Sequence, residues 1–224
     1  NFGVYPSDRA TVMYRKFSPI LEALTAPLEN QLNRKVDIHL TIFKDYESGI
    51  EALATGEVDF VRFGPSSYIL AEIKNPEIRL LAMELRKGIK TFNGVIIAKK
   101  DSGIHSLKDL KGKNFAFGDK YSTIGRYLAQ SLLVENDVYE NDLASFEFLG
   151  RHDLVAKAVI TGTHDAGALK ASTFKKLCDP EEIIVVKSFE NTTKPWLARE
   201  LLPKEVCDAI TASLLELEDS TIIG

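Results

Sequence analysis

Two stretches, EALATGEVDFVRFG (51–64) and KAVITGTHDAGALK (157–170), follow one pattern: a helix end, Thr-Gly, two residues, Asp, then a short strand. Thr55, Gly56 and Asp59 recur as Thr161, Gly162 and Asp165 at a constant offset. Each glycine reads as the left-handed stop of a helix and each aspartate as the residue that opens the next strand, so each stretch is a helix–turn–strand unit. Two such units in one chain point to two similar lobes.

Outward from these units, short β-branched or aromatic runs alternate with longer helical patterns, the mark of an α/β chain. Strands are predicted over 2–5, 36–43, 58–63, 79–85, 94–99, 114–118, 146–149, 166–169 and 183–188. Helices are predicted over 14–32, 46–54, 66–73, 124–135, 154–160, 171–177 and 204–217. In the first helix Phe17, Ile20, Leu21, Leu24, Leu28 and Leu32 recur at three-to-four spacing, which gives it a core-facing stripe. Pro203 stands near the first turn of the last.

The polar, glycine- or proline-containing stretches LRKGIKTFNG (85–94) and SFENTTKPW (188–196) read as crossovers between lobes. The expected organisation is lobe 1 from 1–87 plus 193–224, lobe 2 from 93–188, and hinge segments at 86–93 and 188–194. A cleft between hinged lobes is a common ligand site.

A chain of 224 residues, 45% hydrophobic and 27% charged, can bury a sizeable core. Its formal net charge of -4 and the absence of a basic stripe argue against a nucleic-acid partner. No apolar run reaches the ~18 residues of a membrane span. Asn1 in place of an initiating Met points to a processed or excised chain, and the end at Ile223-Gly224 fits a piece of something longer. Two cysteines, Cys178 and Cys207, lack metal-ligand spacing and read as buried thiols or a single bridge.

One corner carries chemistry. In FAFGDKYSTIGRYLAQSL (115–132) an apolar strand ends in a small, hydroxyl-rich turn and opens into a helix. Helix N-terminal N–H groups, the Ser122 and Thr123 hydroxyls and Arg126 in the first turn suit a phosphate, phosphonate or carboxylate. The same pattern also serves an ordinary N-cap.

FGVYP (2–6), FKDYESGIEALATGEVDFVRFGPSSYILA (43–71), IHSLKDLKGKNFAFGDKYSTIGRYL (104–128) and FLGRHDLVAKAVITGTHDAGAL (148–169) together resemble the phosphate/phosphonate-type periplasmic solute-binding proteins. The resemblance covers nearly the whole chain in order. It implies an α/β, type II periplasmic-binding-protein-like fold: two lobes joined by two crossover strands, with a small phosphorus oxyanion held in the cleft between them. By the same resemblance Ser122 and Thr123 match the family's Ser-Thr pair, His152 its histidine and Tyr46 its cleft tyrosine.

Tyr5, Phe63, Ser66 and Ser67 stand at the predicted strand ends of lobe 1, either facing the cleft or, for the aromatics, packing in the core. Gly64-Pro65-Ser66-Ser67 offers a second corner of free N–H groups. Asp165 completes the candidate ligand-binding set. Two departures from the family concern selectivity. Lys194 stands where relatives that bind an aminoalkyl phosphonate carry an acidic residue, and Ser172 stands near their second one. Lys194, Lys170 and Arg126 then either favour anionic ligands or are solvated surface.

His152 and Asp153 adjoin in sequence and make a poor acid–base couple on a helix. No Walker motif, GxSxG elbow or HExxH is present, so the expectation is a binding protein rather than an enzyme, with no cofactor and no metal. The expected partner is a membrane permease in ABC-type import, with a fused membrane signalling module as the alternative and a phosphate-handling enzyme behind both. The expected location is periplasmic or extracytoplasmic.

Overall fold

The computed structural model of the chain describes residues 1–85 and 88–217. Arg86 and Lys87 of the first expected hinge segment, and 218–224 of the expected lobe 1 tail, lie outside the described residues. The chain divides into two compact units, Asn1–Thr91 with Thr192–Gly224, and Phe92–Asn191.

The first unit runs β1 (Phe2–Val4), α1 (Ala10–Leu32), β2 (Leu40–Ile42), α2 (Tyr46–Thr55), β3 (Phe60–Arg62), α3 (Pro65–Lys74) and β4 (Arg79–Met83). The second holds β5 (Thr91–Lys99), β6 (Asn114–Phe117), a π-helical segment (Thr123–Leu128) leading into α4 (Ala129–Glu135), β7 (Ser145–Phe148), α5 (His152–Thr161), β8 (Ala166–Lys170), α6 (Ala171–Leu177) and β9 (Ile183–Thr192). The chain then returns to the first unit with β10 (Pro195–Ala198) and α7 (Lys204–Glu216).

The sheets have one plan. Their strand orders are β2-β1-β3-β10-β4 and β7-β6-β8-β5-β9. In each, the three strands joined through helices are parallel, and the fourth, β10 or β5, is antiparallel to its inner neighbour. The repeated Thr-Gly-x-x-Asp is the hinge pin of this plan. Gly56 and Gly162 end α2 and α5 with φ of 80° and 76°, a left-handed conformation that glycine adopts without steric cost. Asp59 Oδ2 then accepts from the Asn1 backbone nitrogen at 2.6 Å, and Asp165 Oδ2 from that of Asn114 at 2.7 Å. In both units the aspartate ties the start of the third parallel strand to the start of the first.

Cores form where the patterns predict. The α1 face of Met13, Phe17, Ile20, Leu21, Leu24 and Leu28 is buried against Phe2, Phe60 and Trp196 of the sheet and Ile210 and Leu214 of α7. In β5, Ile96 and Ala98 face the α4 side, while Val95 and Ile97 face α5. Cys178 and Cys207 are free and buried, and burial pushes the Cys178 thiol up to about 11.

Element ends shift by a few residues, α1 starting at Ala10 and β5 at Thr91, and further differences from the sequence reading concern four places. Strand β2 is shorter than 36–43, because Asn33 ends α1 in a left-handed conformation and Val36 and Ile38 then pack on the core without pairing. Strand β9 continues past 188 to Thr192. Pro195–Ala198 was not predicted as a strand: four residues opened by a proline resemble a turn, yet they pair on both sides, with β3 and β4. The helix predicted over 124–135 is π-helical in its first part and α-helical only from Ala129.

Candidate functional site

Within each unit the candidate residues other than Asp165 lie at the carboxyl ends of the parallel strands, where open α/β sheets hold their ligands. In the second unit, Leu149 N donates to Phe117 O at 3.0 Å and Gly150 N to Gly118 O at 3.2 Å. These two bonds extend the β6–β7 pairing past the strands and set the turn after β6 beside the turn after β7. The first turn carries Ser122 and Thr123, the second His152, the first residue of α5.

The Ser122 corner is closely built. Ser122 Oγ accepts from Gly125 N at 3.0 Å, and Ser122 O accepts from both Arg126 N and Tyr127 N at 3.1 Å, the latter a π-type bond. Gly118 N donates to Gly125 O at 2.7 Å. A Cβ on Gly125 would lie 2.8 Å from the Gly118 Cα, so glycine is required for this approach. Ser122 is therefore a helix cap and is buried, with its O–H left as a donor; Thr123 is half-buried. Arg126, expected to add its charge at the corner, donates from Nη1 to Lys120 O at 3.3 Å and lies 4.3 Å over the Tyr127 ring.

His152 is buried. Its neighbour Asp153 is held by Arg151, Nε to Oδ1 at 2.9 Å and Nη2 to Oδ2 at 3.2 Å, so that carboxylate already carries a counter-charge. Asp165 lies at the opposite, amino-terminal edge of the sheet, where Asn114 N and Nδ2 donate to its Oδ2. The fold thus puts Ser122 and Thr123 on one turn and His152 after the adjacent one, and places Asp165 at the other edge as a strand tie.

In the first unit each parallel strand delivers one aromatic ring at its carboxyl end: Tyr5 after β1, Tyr46 at the start of α2 after β2, and Phe63 after β3. Tyr5 stacks on Tyr46 at 3.6 Å between centroids and on Phe63 at 4.9 Å. Asp45 caps α2 through Ser48 N at 2.8 Å and so fixes the start of the helix that carries Tyr46. All three rings are buried.

The Tyr5 hydroxyl reaches the second corner. It accepts from Gly64 N at 2.5 Å and donates to Ser67 Oγ at 3.0 Å. Gly64 N is thus taken by Tyr5 and Pro65 has no N–H, so neither of these two positions of the Gly64-Pro65-Ser66-Ser67 corner offers a backbone donor. Ser67 is fully buried there, and Ser66 half-buried.

Beside the rings lies a charge cluster that the sequence reading missed. Glu84 is buried and receives Arg62 in a bidentate contact through one guanidinium edge, Nη2 to Oε2 at 2.6 Å and Nε to Oε1 closer still. Trp196 Nε1 also donates to it, at 3.3 Å. Burial alone would raise the Glu84 carboxyl, but Arg62, with Lys194 and Lys16 behind it, holds it below its ordinary value. Lys194 is itself buried, with Nζ 5.9 Å from the Tyr5 ring centroid. It is not solvated surface. Ser172 and Thr173, in the first turn of α6, repeat Ser66 and Ser67 at the offset that relates Tyr46 to His152, a signal present in the sequence. Among the described residues no group of three or more His, Cys, Asp or Glu could hold a metal ion.

Two α/β units of one topology, with hydroxyls, a histidine and aromatic rings at the carboxyl ends of their parallel strands, define a type II periplasmic-binding-protein fold. The chain belongs to the family of periplasmic substrate-binding proteins of phosphonate ABC transporters, whose model matches residues 2–222.

Among its relatives, the phosphate-import protein PhnD of Mycolicibacterium smegmatis is 28% identical over 222 residues, 92% of this chain and 67% of that one. The probable ABC transporter phosphite binding protein PhnD1 of Prochlorococcus marinus is 27% identical over 183 residues. That match takes in 77% of this chain and 58% of the relative, so the chain spans less than two thirds of the latter's length. The structure of PhnD1 from Prochlorococcus marinus in complex with methylphosphonate superposes with a TM-score of 0.79 at 24% identity, over all of this chain and 83% of that one.

Proposed function

We propose that this chain captures a small phosphorus oxyanion, phosphate, phosphite or a simple phosphonate, outside the cytoplasm and hands it to an ABC-type permease. The observation that carries this reading is the Ser122–Thr123 corner beside His152 at the carboxyl ends of β6 and β7. It joins a helix N-terminus, two hydroxyls and an imidazole at one place, the donor set a tetrahedral oxyanion needs. Family membership and the methylphosphonate held by the Prochlorococcus protein support the choice of phosphorus.

In this reading Tyr46 closes the site from the first unit, and 86–93 with 188–194 act as the hinge. Binding rather than turnover is the activity, since Asp153, the carboxylate next to His152, is committed to Arg151. No helix among the described residues is long and apolar enough to cross a membrane. Calorimetry with phosphate, phosphite and methylphosphonate tests the proposal, alongside an assay with p-nitrophenyl phosphate. Saturable one-site binding without nitrophenol release is expected. Release of nitrophenol at a saturable rate, or no heat with any of the three ligands, overturns it.

A further inference from the structure

A groove of about 540 Å³ runs along the second unit between α4 and the edge strand β7. Its strand wall is three phenylalanines in mutual contact: Phe117 and Phe146 at 5.9 Å and 82°, Phe146 and Phe148 at 5.7 Å and 80°, Phe117 and Phe148 at 5.5 Å. Its helix wall is Arg126, Leu133 and Val134. Phe148 is 43% exposed and Val134 44%, so apolar surface meets water in a concave site within the size range of small-molecule pockets.

The polar features of the groove are asymmetric. From Arg126 to Val134 the helical rise gives a length of about 12 Å. Helix α4 runs back along the strands, so Arg126 stands near their carboxyl ends, with Phe148, while Glu140 lines the other end. The Arg126 Nε is buried without a hydrogen-bond partner, and the guanidinium makes one hydrogen bond, to the neutral Lys120 carbonyl. Among the described residues no carboxylate pairs with it. The guanidinium charge therefore lines the groove without a counter-charge, which a bound anion would supply.

We propose that this groove is a second binding site, separate from the oxyanion corner, that takes an amphipathic carboxylate: an apolar body of about 12 Å against Phe117, Phe146, Phe148 and Leu133, with its head on Arg126. Charge complementarity selects the anion over a neutral or cationic amphiphile, and the aromatic wall selects an apolar body over a bare ion. The π-helical segment that follows Ser122 carries Arg126 as well, so the two sites share one piece of backbone.

Decanoate and decanol are the probes, measured by calorimetry in the presence of saturating methylphosphonate. Decanoate is expected to bind one site, at least ~10-fold more tightly than decanol. Arg126→Gln should weaken decanoate by about 10-fold and remove most of that preference. Val134→Trp, which fills the groove at an exposed position, should abolish binding of both while the thermal transition stays cooperative. Several results overturn the proposal: no decanoate heat, equal affinity for decanol, displacement of decanoate by methylphosphonate, or undiminished binding in both variants.

Discussion

Thr123 is a sharper probe of the oxyanion corner than Ser122. The Ser122 hydroxyl caps the helix through Gly125 N, so its removal would mix a binding loss with about 1 kcal/mol of lost helix stability. Thr123→Ala should weaken phosphate binding by ~1–3 kcal/mol, the cost of leaving a charged acceptor short of one donor. Unchanged affinity in calorimetry would take the corner out of the site. Lys194 sets the second prediction at this scale. It is buried beside the Tyr5 ring, close enough to Glu84 to act on its carboxyl, so an aminoalkyl ammonium arriving there meets a like charge and a desolvation cost together. Phosphate, phosphite or methylphosphonate should bind at least ~10-fold more tightly than aminoethylphosphonate, about 1.4 kcal/mol. A thermal-shift panel at fixed pH and salt decides: the largest shift with aminoethylphosphonate would rule out this role for Lys194.

Arg62 belongs to β3, Glu84 follows β4 and Trp196 lies in β10, so one carboxylate staples three adjacent strands. Its folded pKa is lowered, which makes its stabilisation complete above the ordinary glutamate range and lost as pH falls through the lowered value, the unfolded chain taking up the proton first. Trp196, the single tryptophan, reports on the same contact. Denaturation followed by its fluorescence should show stability flat down to about pH 5 and falling below. Glu84→Gln, which leaves Arg62 buried and unpaired, should cost ~3–5 kcal/mol at neutral pH and flatten that acid slope; an identical slope in both proteins would place the acid sensitivity elsewhere. This staple was illegible in the sequence because its members meet only through the strand order β3-β10-β4, and β10 comes last in the chain. The aromatic stack is the same case: Tyr5, Tyr46 and Phe63 are separate in sequence, and their contact depends on three parallel strands ending level. What was legible was local. The Thr-Gly-x-x-Asp units, the α1 stripe and the Ser122 corner each rest on residues whose neighbours in the pattern lie at most four positions away. The π-type bond from Tyr127 to Ser122 changes the register of the first turn, and that sent Arg126 where helical spacing did not.

At the scale of the whole molecule, each unit receives its antiparallel strand directly after the chain arrives from the other, β5 after the first crossing and β10 after the second. The chain changes unit at 91–92 and again at 191–192. If the two crossings act as the proposed hinge, closing motion between the units is confined to a few backbone torsions and each core stays intact. Binding free energy drives such a closure only as far as the ligand favours the closed arrangement over the open one, so the motion and the site are tested together. Small-angle scattering should give a smaller radius of gyration in the presence of saturating phosphate than in its absence. Thr123→Ala should need a higher phosphate concentration to reach the same compaction, because it loses contacts in the site and none in the connecting segments. An unchanged radius with a ligand shown by calorimetry to bind would mean a rigid site, and the crossings at 91–92 and 191–192 would then be connections without a hinge.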